Sequence, residues 1–96
     1  MTSSSQYEIT YIIRPALEDP QVDEVAAHFS DVAKQNGGEE IGAERMGKRR
    51  LAYEIQKLRE GHYVCMKFKG GPDTAKEIVR LMRLHENILR ALVVRV

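Results

Sequence analysis

Leu51-Ala52-Tyr53-Glu54-Ile55 and His62-Tyr63-Val64-Cys65-Met66-Lys67-Phe68-Lys69 are two alternating runs separated by a short polar stretch, residues 57–61. In an extended chain successive side chains point to opposite faces. Leu51, Tyr53 and Ile55 therefore face one way, with Ala52, Glu54 and Gln56 opposite. In the second run His62, Val64, Met66 and Phe68 oppose Tyr63, Cys65, Lys67 and Lys69. Two such runs joined by a few polar residues predict an antiparallel hairpin. What flanks that hairpin on each side decides the fold.

Towards the N-terminus the extended pattern continues back to Ile41, with Gly47 marking a bulge or bend. Before it, Asn36-Gly37-Gly38 supplies a left-handed stop for a helix over residues 20–35. Asp19 is placed to cap that helix and Pro20 to occupy its first position, while Val22, Val25, Ala26, Phe29, Val32 and Ala33 form one apolar stripe. Residues 7–14 alternate as a strand, with Tyr7, Ile9, Tyr11 and Ile13 on one side, and Pro15 closes the run. Towards the C-terminus, Gly70-Gly71-Pro72-Asp73 breaks the hairpin and opens a second helix. Its Ala75, Ile78, Val79 and Met82 share a face, and His85-Glu86-Asn87 ends it. Residues 88–96 are apolar and β-branched, which predicts a last, largely buried strand interrupted by Arg90 and Arg95. The order βαββαβ is that of the α+β ferredoxin-like sandwich, with two helices on one face of a four-stranded antiparallel sheet and the other face open. Residues 1–96 are expected to form one domain, with residues 1–5 a loose polar tail.

The 96-residue chain is 43% apolar, enough for one core without disulfides or metals. Cys65 is its only cysteine, so no intrachain disulfide forms and a reducing compartment is the natural setting. No run approaches the roughly 20 apolar residues of a membrane span, and the N-terminus lacks a secretory signal pattern. A soluble cytoplasmic protein without a membrane partner is expected.

Charge separates along the chain although the net value is only +1. Residues 1–44 hold two basic and nine acidic groups, a net −7; residues 45–96 hold thirteen basic and five acidic groups, a net +8. A basic half on a nearly neutral protein points to a polyanionic partner on one side. The alternative is that the two signs interleave in three dimensions and only solvate the fold.

Catalytic chemistry has no visible carrier. Cys65 lies in an apolar strand, where it reads as a small hydrophobe and not a reactive thiolate. His28, His62 and His85 sit in three different elements, without the paired spacing of metal ligands. Gly37-Gly38 and Gly70-Gly71 lack the lysine and hydroxyl residue of a phosphate-binding loop. No catalytic residue, metal, cofactor or small-molecule substrate is expected.

The most informative segment is Met46-Gly47-Lys48-Arg49-Arg50-Leu51-Ala52-Tyr53-Glu54-Ile55, where a glycine bend precedes three consecutive cations. Adjacent like charges repel, and a phosphate backbone relieves that through charge-assisted hydrogen bonds and counterion release. Protection of an exposed strand edge is the competing explanation.

This segment, together with Tyr7-Glu8, Ile13-Arg14-Pro15, Gly37-Gly38, Gly61-His62-Tyr63 and Arg83-Leu84 leading to Ile88-Leu89-Arg90, resembles the bacterial small-subunit ribosomal protein six family over residues 7–96. The resemblance implies a ferredoxin-like domain bound to the central domain of 16S rRNA in the cytoplasmic small ribosomal subunit, as a heterodimer with small-subunit ribosomal protein eighteen. It implies a partner-protein contact on the long second strand, at Leu51, Tyr53 and Ile55. Two departures stand out. Met46 occupies a position often aromatic in the family, and the C-terminal tail of many members has no counterpart after Val96.

The resemblance favours RNA for Lys48, Arg49, Arg50 and Arg90, with Lys57, Arg83 and Arg95 added as cations of the same half. Arg90 and Arg95, five apart, fall on opposite faces of a strand. Arg83 in a last helical turn also complements the helix dipole, and Lys57 in the hairpin turn is similarly ambiguous. The four tyrosines are expected mostly in core or interface packing, so RNA shape and backbone dominate recognition. A hydrolase of the acylphosphatase type on the same fold needs a glycine-rich loop after the first strand, which Arg14-Pro15-Ala16-Leu17 does not provide. A homodimeric ligand-sensing domain leaves the +8 half unexplained.

Overall fold

The computed structural model describes residues 5–96 and consists of β1 (Ser5–Ile13), α1 (Asp19–Gln35), β2 (Glu39–Ile55), β3 (Leu58–Gly70), α2 (Pro72–Leu84) and β4 (Ile88–Arg95). The four strands form one antiparallel sheet in the order β2-β3-β1-β4. The expected βαββαβ sandwich is present. Tyr7, Ile9, Tyr11 and Ile13 of β1 and Val64, Met66 and Phe68 of β3 are buried against Val22, Phe29 and Val32 of α1 and Ile78, Val79 and Met82 of α2. A fully buried aliphatic or aromatic side chain contributes about 1.5–3 kcal/mol, so this layer dominates the stability. Tyr7 stacks on Phe68 with ring centroids 5.6 Å apart, and Tyr11 meets Phe29 at 5.9 Å.

Local chemistry sets the helix ends. Glu18, one residue before the expected Asp19, is the N-cap of α1; its N–H donates to the Gln21 side chain at 2.9 Å. Asp19 is released to meet Arg45 on β2, whose guanidinium also reaches Asp23, at 2.9 and 2.8 Å. At the other end the Gly38 N–H donates to Ala33 O at 2.7 Å and the Gly37 N–H to Lys34 O at 3.1 Å. Gly37 has φ +82, the left-handed residue this paired closure requires. Thr74 Oγ1 donates to Asn36 O at 2.7 Å, tying the start of α2 to the end of α1.

Several expectations need correction. Residues 1–4 of the anticipated tail lie outside the described residues, and Ser5 opens β1 opposite Gly70. The hairpin turn is only Gln56-Lys57, both with positive φ (51 and 66), so residues 58–61 belong to β3. A two-residue turn of this type matches the twist of the flanking strands better than a longer polar loop. β4 is an edge strand, and only Ile88 and Ala91 in it are buried. Leu92, Val93 and Val94 are 51%, 40% and 60% exposed. The apolar composition that predicted burial instead clothes an edge and part of the open face.

Candidate nucleic-acid and partner-protein interface

Strand register assigns the faces. Opposite residues in a ladder share a face. Ile12, Thr10 and Glu8 of β1 stand opposite Tyr63, Cys65 and Lys67 on β3 and opposite Arg90, Leu92 and Val94 on β4. These residues define the face without helices. Arg95 stands opposite buried Tyr7, so it lies on the helix side, and the two arginines of β4 do occupy opposite faces.

β2 is the longest strand, and it is not straight. Gly47 takes φ +86 at a register shift between Arg45 and Gly47. This is the bulge its sequence position predicted. Beyond it Lys48, Arg49 and Arg50 pair with His62, Gly61 and Glu60. Lys48 and Arg50 share the helix-side parity, and Arg49 points the other way. A second irregularity follows: from Arg50 to Ile55 β2 advances five residues while its partner moves from Glu60 back to Leu58. The surplus length bends the outer strand inward. The last β1–β3 pair is Ile13 with His62, so the hairpin end projects beyond β1. The molecule is elongated, 45 × 25 × 21 Å.

The bend carries Leu51, Tyr53 and Ile55 over the open face, where they line a hollow of about 250 Å³ with Ile12, Tyr63 and Leu92. Leu51 is 7% exposed and serves as the hollow's floor; Tyr53 is 57% exposed and forms its rim. The Arg90 guanidinium carbon lies 5.4 Å from the Tyr53 ring centre. β2 and β4 are opposite edges, which in a flat sheet stand roughly 14 Å apart. Only the inward bend brings these side chains together. Arg14 supports the curled end, donating from Nη2 to Gln56 Oε1 at 2.6 Å and from Nε to Glu86 O at 2.8 Å.

The seven cations singled out in the sequence do not converge. Lys48, Arg49, Arg50 and Lys57 follow the projecting hairpin, Arg90 lies on the open face, and Arg83 and Arg95 lie on the helix side near the β4 edge. They share one electrostatic property, which Arg14, Lys34, Lys69 and Lys76 also have. Among the described residues none of the seven has a carboxylate within salt-bridge distance, whereas Arg45, Arg59, Lys67 and Arg80 each do. Arg80 and Glu77 illustrate the paired kind: two hydrogen bonds of 2.7 Å hold the Glu77 carboxyl below the usual range. Sequence reasoning missed Arg14 and the contributions of Ile12 and Leu92. The parity of Ile12, apolar on the polar side of β1, was the available signal for the latter pair.

The histidines are structural in arrangement. His62 is buried and its Nε2 lies 2.8 Å from Leu17 O, an acceptor, so the nitrogen carries the proton. His85 Nδ1 accepts from the Asn87 N–H at 3.1 Å, and its ring stands 6.0 Å from that of His28. Among the described residues no group of three potential ligands could hold a metal ion.

Comparison with known proteins is decisive for the family. The family described as "Ribosomal protein S6" matches residues 6–95. The chain belongs to the ribosomal protein S6 family. It is 44% identical over 90 residues to the small ribosomal subunit protein bS6 of Carboxydothermus hydrogenoformans, covering 94% of each chain. The bS6 of Halalkalibacterium halodurans is also 44% identical, over 92% of this chain and 93% of its own. The crystal structure of 30S ribosomal protein S6 from Thermotoga maritima superposes with a TM-score of 0.90 at 26% identity, covering 98% of this chain and 89% of that one. The S6 family consists of structural ribosomal proteins and not enzymes.

Proposed function

We propose that this chain, acting as one domain, binds the central domain of 16S rRNA through Lys48, Arg49, Arg50, Lys57, Arg83, Arg90 and Arg95. In the same assembly it binds small-subunit ribosomal protein eighteen through the surface of Leu51, Tyr53 and Ile55. The coarser statement rests on family membership: this is a small-subunit ribosomal protein, and its place is in the cytoplasm.

The observation that carries the finer reading is the absence, among the described residues, of carboxylate partners for the seven cations, beside an apolar hollow rimmed by exposed Tyr53. Unpaired, hydrated cations release condensed counterions on meeting phosphates and lose no internal ion pair in doing so. Because the cations are spread over three places, they fit a folded RNA that wraps the molecule better than a single phosphate. The central strands give the open face only one aromatic side chain, Tyr63, so contact with backbone and shape outweighs base stacking. An exposed apolar rim on a curled strand fits a protein neighbour, for which aromatic anchors are favoured.

Sedimentation of the chain with a central-domain rRNA fragment, with and without protein eighteen, tests the proposal. The expected result is comigration at low salt, enhanced by the partner. A chain that stays unbound in both mixtures at low salt rules the proposal out.

A further inference from the structure

Arg90 stands among the proposed RNA cations and Tyr53 among the proposed partner contacts, yet the two side chains touch. We infer that Tyr53 is a positioning residue for RNA: it holds the Arg90 fork for a phosphate and thereby couples RNA binding to partner binding. This inference rests on the proposed function and deepens it.

The geometry carries the inference in three steps. A guanidinium over an aromatic ring uses its flat face, which leaves the N–H donors along its edge free for bidentate contact with phosphate. Among the described residues Arg90 has no carboxylate partner, and on the open face its ladder neighbour is the apolar Ile12, so no ion pair competes for the fork. An arginine on an edge strand otherwise samples many rotamers, and restricting them before RNA arrives lowers the cost of binding.

The coupling follows from where Tyr53 sits. Tyr53 is 57% exposed on the rim of the hollow formed with Leu51, Ile12 and Leu92. A partner seated on that rim covers the Tyr53 side of the pair and removes water from it, leaving the outer edge of the Arg90 fork to phosphate. A cation–π contact strengthens several-fold on desolvation, and a charge-assisted bond to phosphate gains in the same way. The sign is therefore positive: partner binding tightens RNA binding, and by linkage RNA tightens partner binding by the same factor. A link of this kind needs a contact between the two edges of the sheet, and the inward bend of β2 provides it.

The test measures affinity for the central-domain rRNA fragment in Tyr53→Leu, Tyr53→Phe, Arg90→Gln and Tyr53→Leu/Arg90→Gln, each alone and with saturating protein eighteen. Tyr53→Leu is expected to lose about three-fold alone and about thirty-fold with the partner bound. Tyr53→Phe should keep wild-type affinity within about two-fold, because the ring face is retained. In the Arg90→Gln background Tyr53→Leu should add nothing further. Additive losses, or an equal loss with and without partner, overturn the inference while leaving the proposed function intact. Wild-type chain that binds no RNA under either condition overturns both. Unchanged thermal unfolding of the exposed-site variants separates these outcomes from loss of fold.

Discussion

His62 on β3 and Leu17 in the loop before α1 are joined by a hydrogen bond of 2.8 Å from imidazole Nε2 to the backbone carbonyl. The His62 side chain is 6% exposed and Leu17 is half-buried, so removing the imidazole opens a gap beside a carbonyl that has lost its donor. His62→Ala should cost about 1–3 kcal/mol through the orphaned acceptor, plus a cavity contribution. His62→Gln, which retains a donor, should recover part of that loss. Urea unfolding of the two variants measures both. Equal destabilisation by Ala and Gln would assign the effect to packing alone.

Gly61 and Gly47 flank the hairpin and differ in what a side chain would meet. A β-carbon on Gly61 would lie 2.5 Å from Ile12 Cγ2 and 3.0 Å from Ile13 O, so Gly61→Ala forces β3 away from β1. A loss of about 1–3 kcal/mol is expected. At Gly47 nothing lies within 4 Å, but φ is +86. There Gly47→Ala should cost about 1 kcal/mol from backbone strain alone, with asparagine tolerated better than alanine. Thermal unfolding should rank Gly61→Ala below Gly47→Ala.

Burial, with a further contribution from Glu40, raises the Tyr11 phenol well above the ordinary tyrosine value of 10.0. The folded state therefore holds its proton after the unfolded chain has released it. The stability Tyr11 contributes is fully present below about pH 10 and falls as pH rises from there towards the folded value. Tyr11→Phe should flatten this alkaline decline. Denaturant unfolding from about pH 8 to about pH 11, a range that brackets the ordinary tyrosine value of about 10, is the measurement. An identical decline in the variant would place the alkaline lability elsewhere.

The fold was legible because alternation in β1 and β3 and helical periodicity in α1 and α2 agree with burial: Ile9, Tyr11, Val64 and Phe68 are buried where parity placed them, as are Val25, Phe29, Ile78 and Met82. β4 misled because composition reports hydrophobicity and not position in the sheet. Being an edge depends on strand order, which is non-local. The Gly47 bulge was readable from a glycine inside an alternating strand. The unequal advance of β2 and β3 between Arg50 and Ile55 was not, since register depends on both strands at once. For that reason Leu51, Tyr53 and Ile55 could be grouped from sequence, whereas their meeting with Arg90, thirty-seven residues after Tyr53, could not.

Lys48, Arg49 and Arg50 face alternate sides of the projecting hairpin, and among the described residues none has an acidic partner. Replacing all three by alanine should leave unfolding nearly unchanged, because each is exposed and, among the described residues, their side chains make one hydrogen bond, from Arg49 Nε to Met46 O at 3.2 Å. Binding to a central-domain rRNA fragment should weaken, and the slope of log affinity against log salt should become shallower by about 2 if all three reach phosphates. The direction separates two physical roles for the same charges. If they serve to keep β2 from pairing with other strands, the variant aggregates while the slope is unaltered. A shallower slope in monodisperse protein places the hairpin against the RNA backbone.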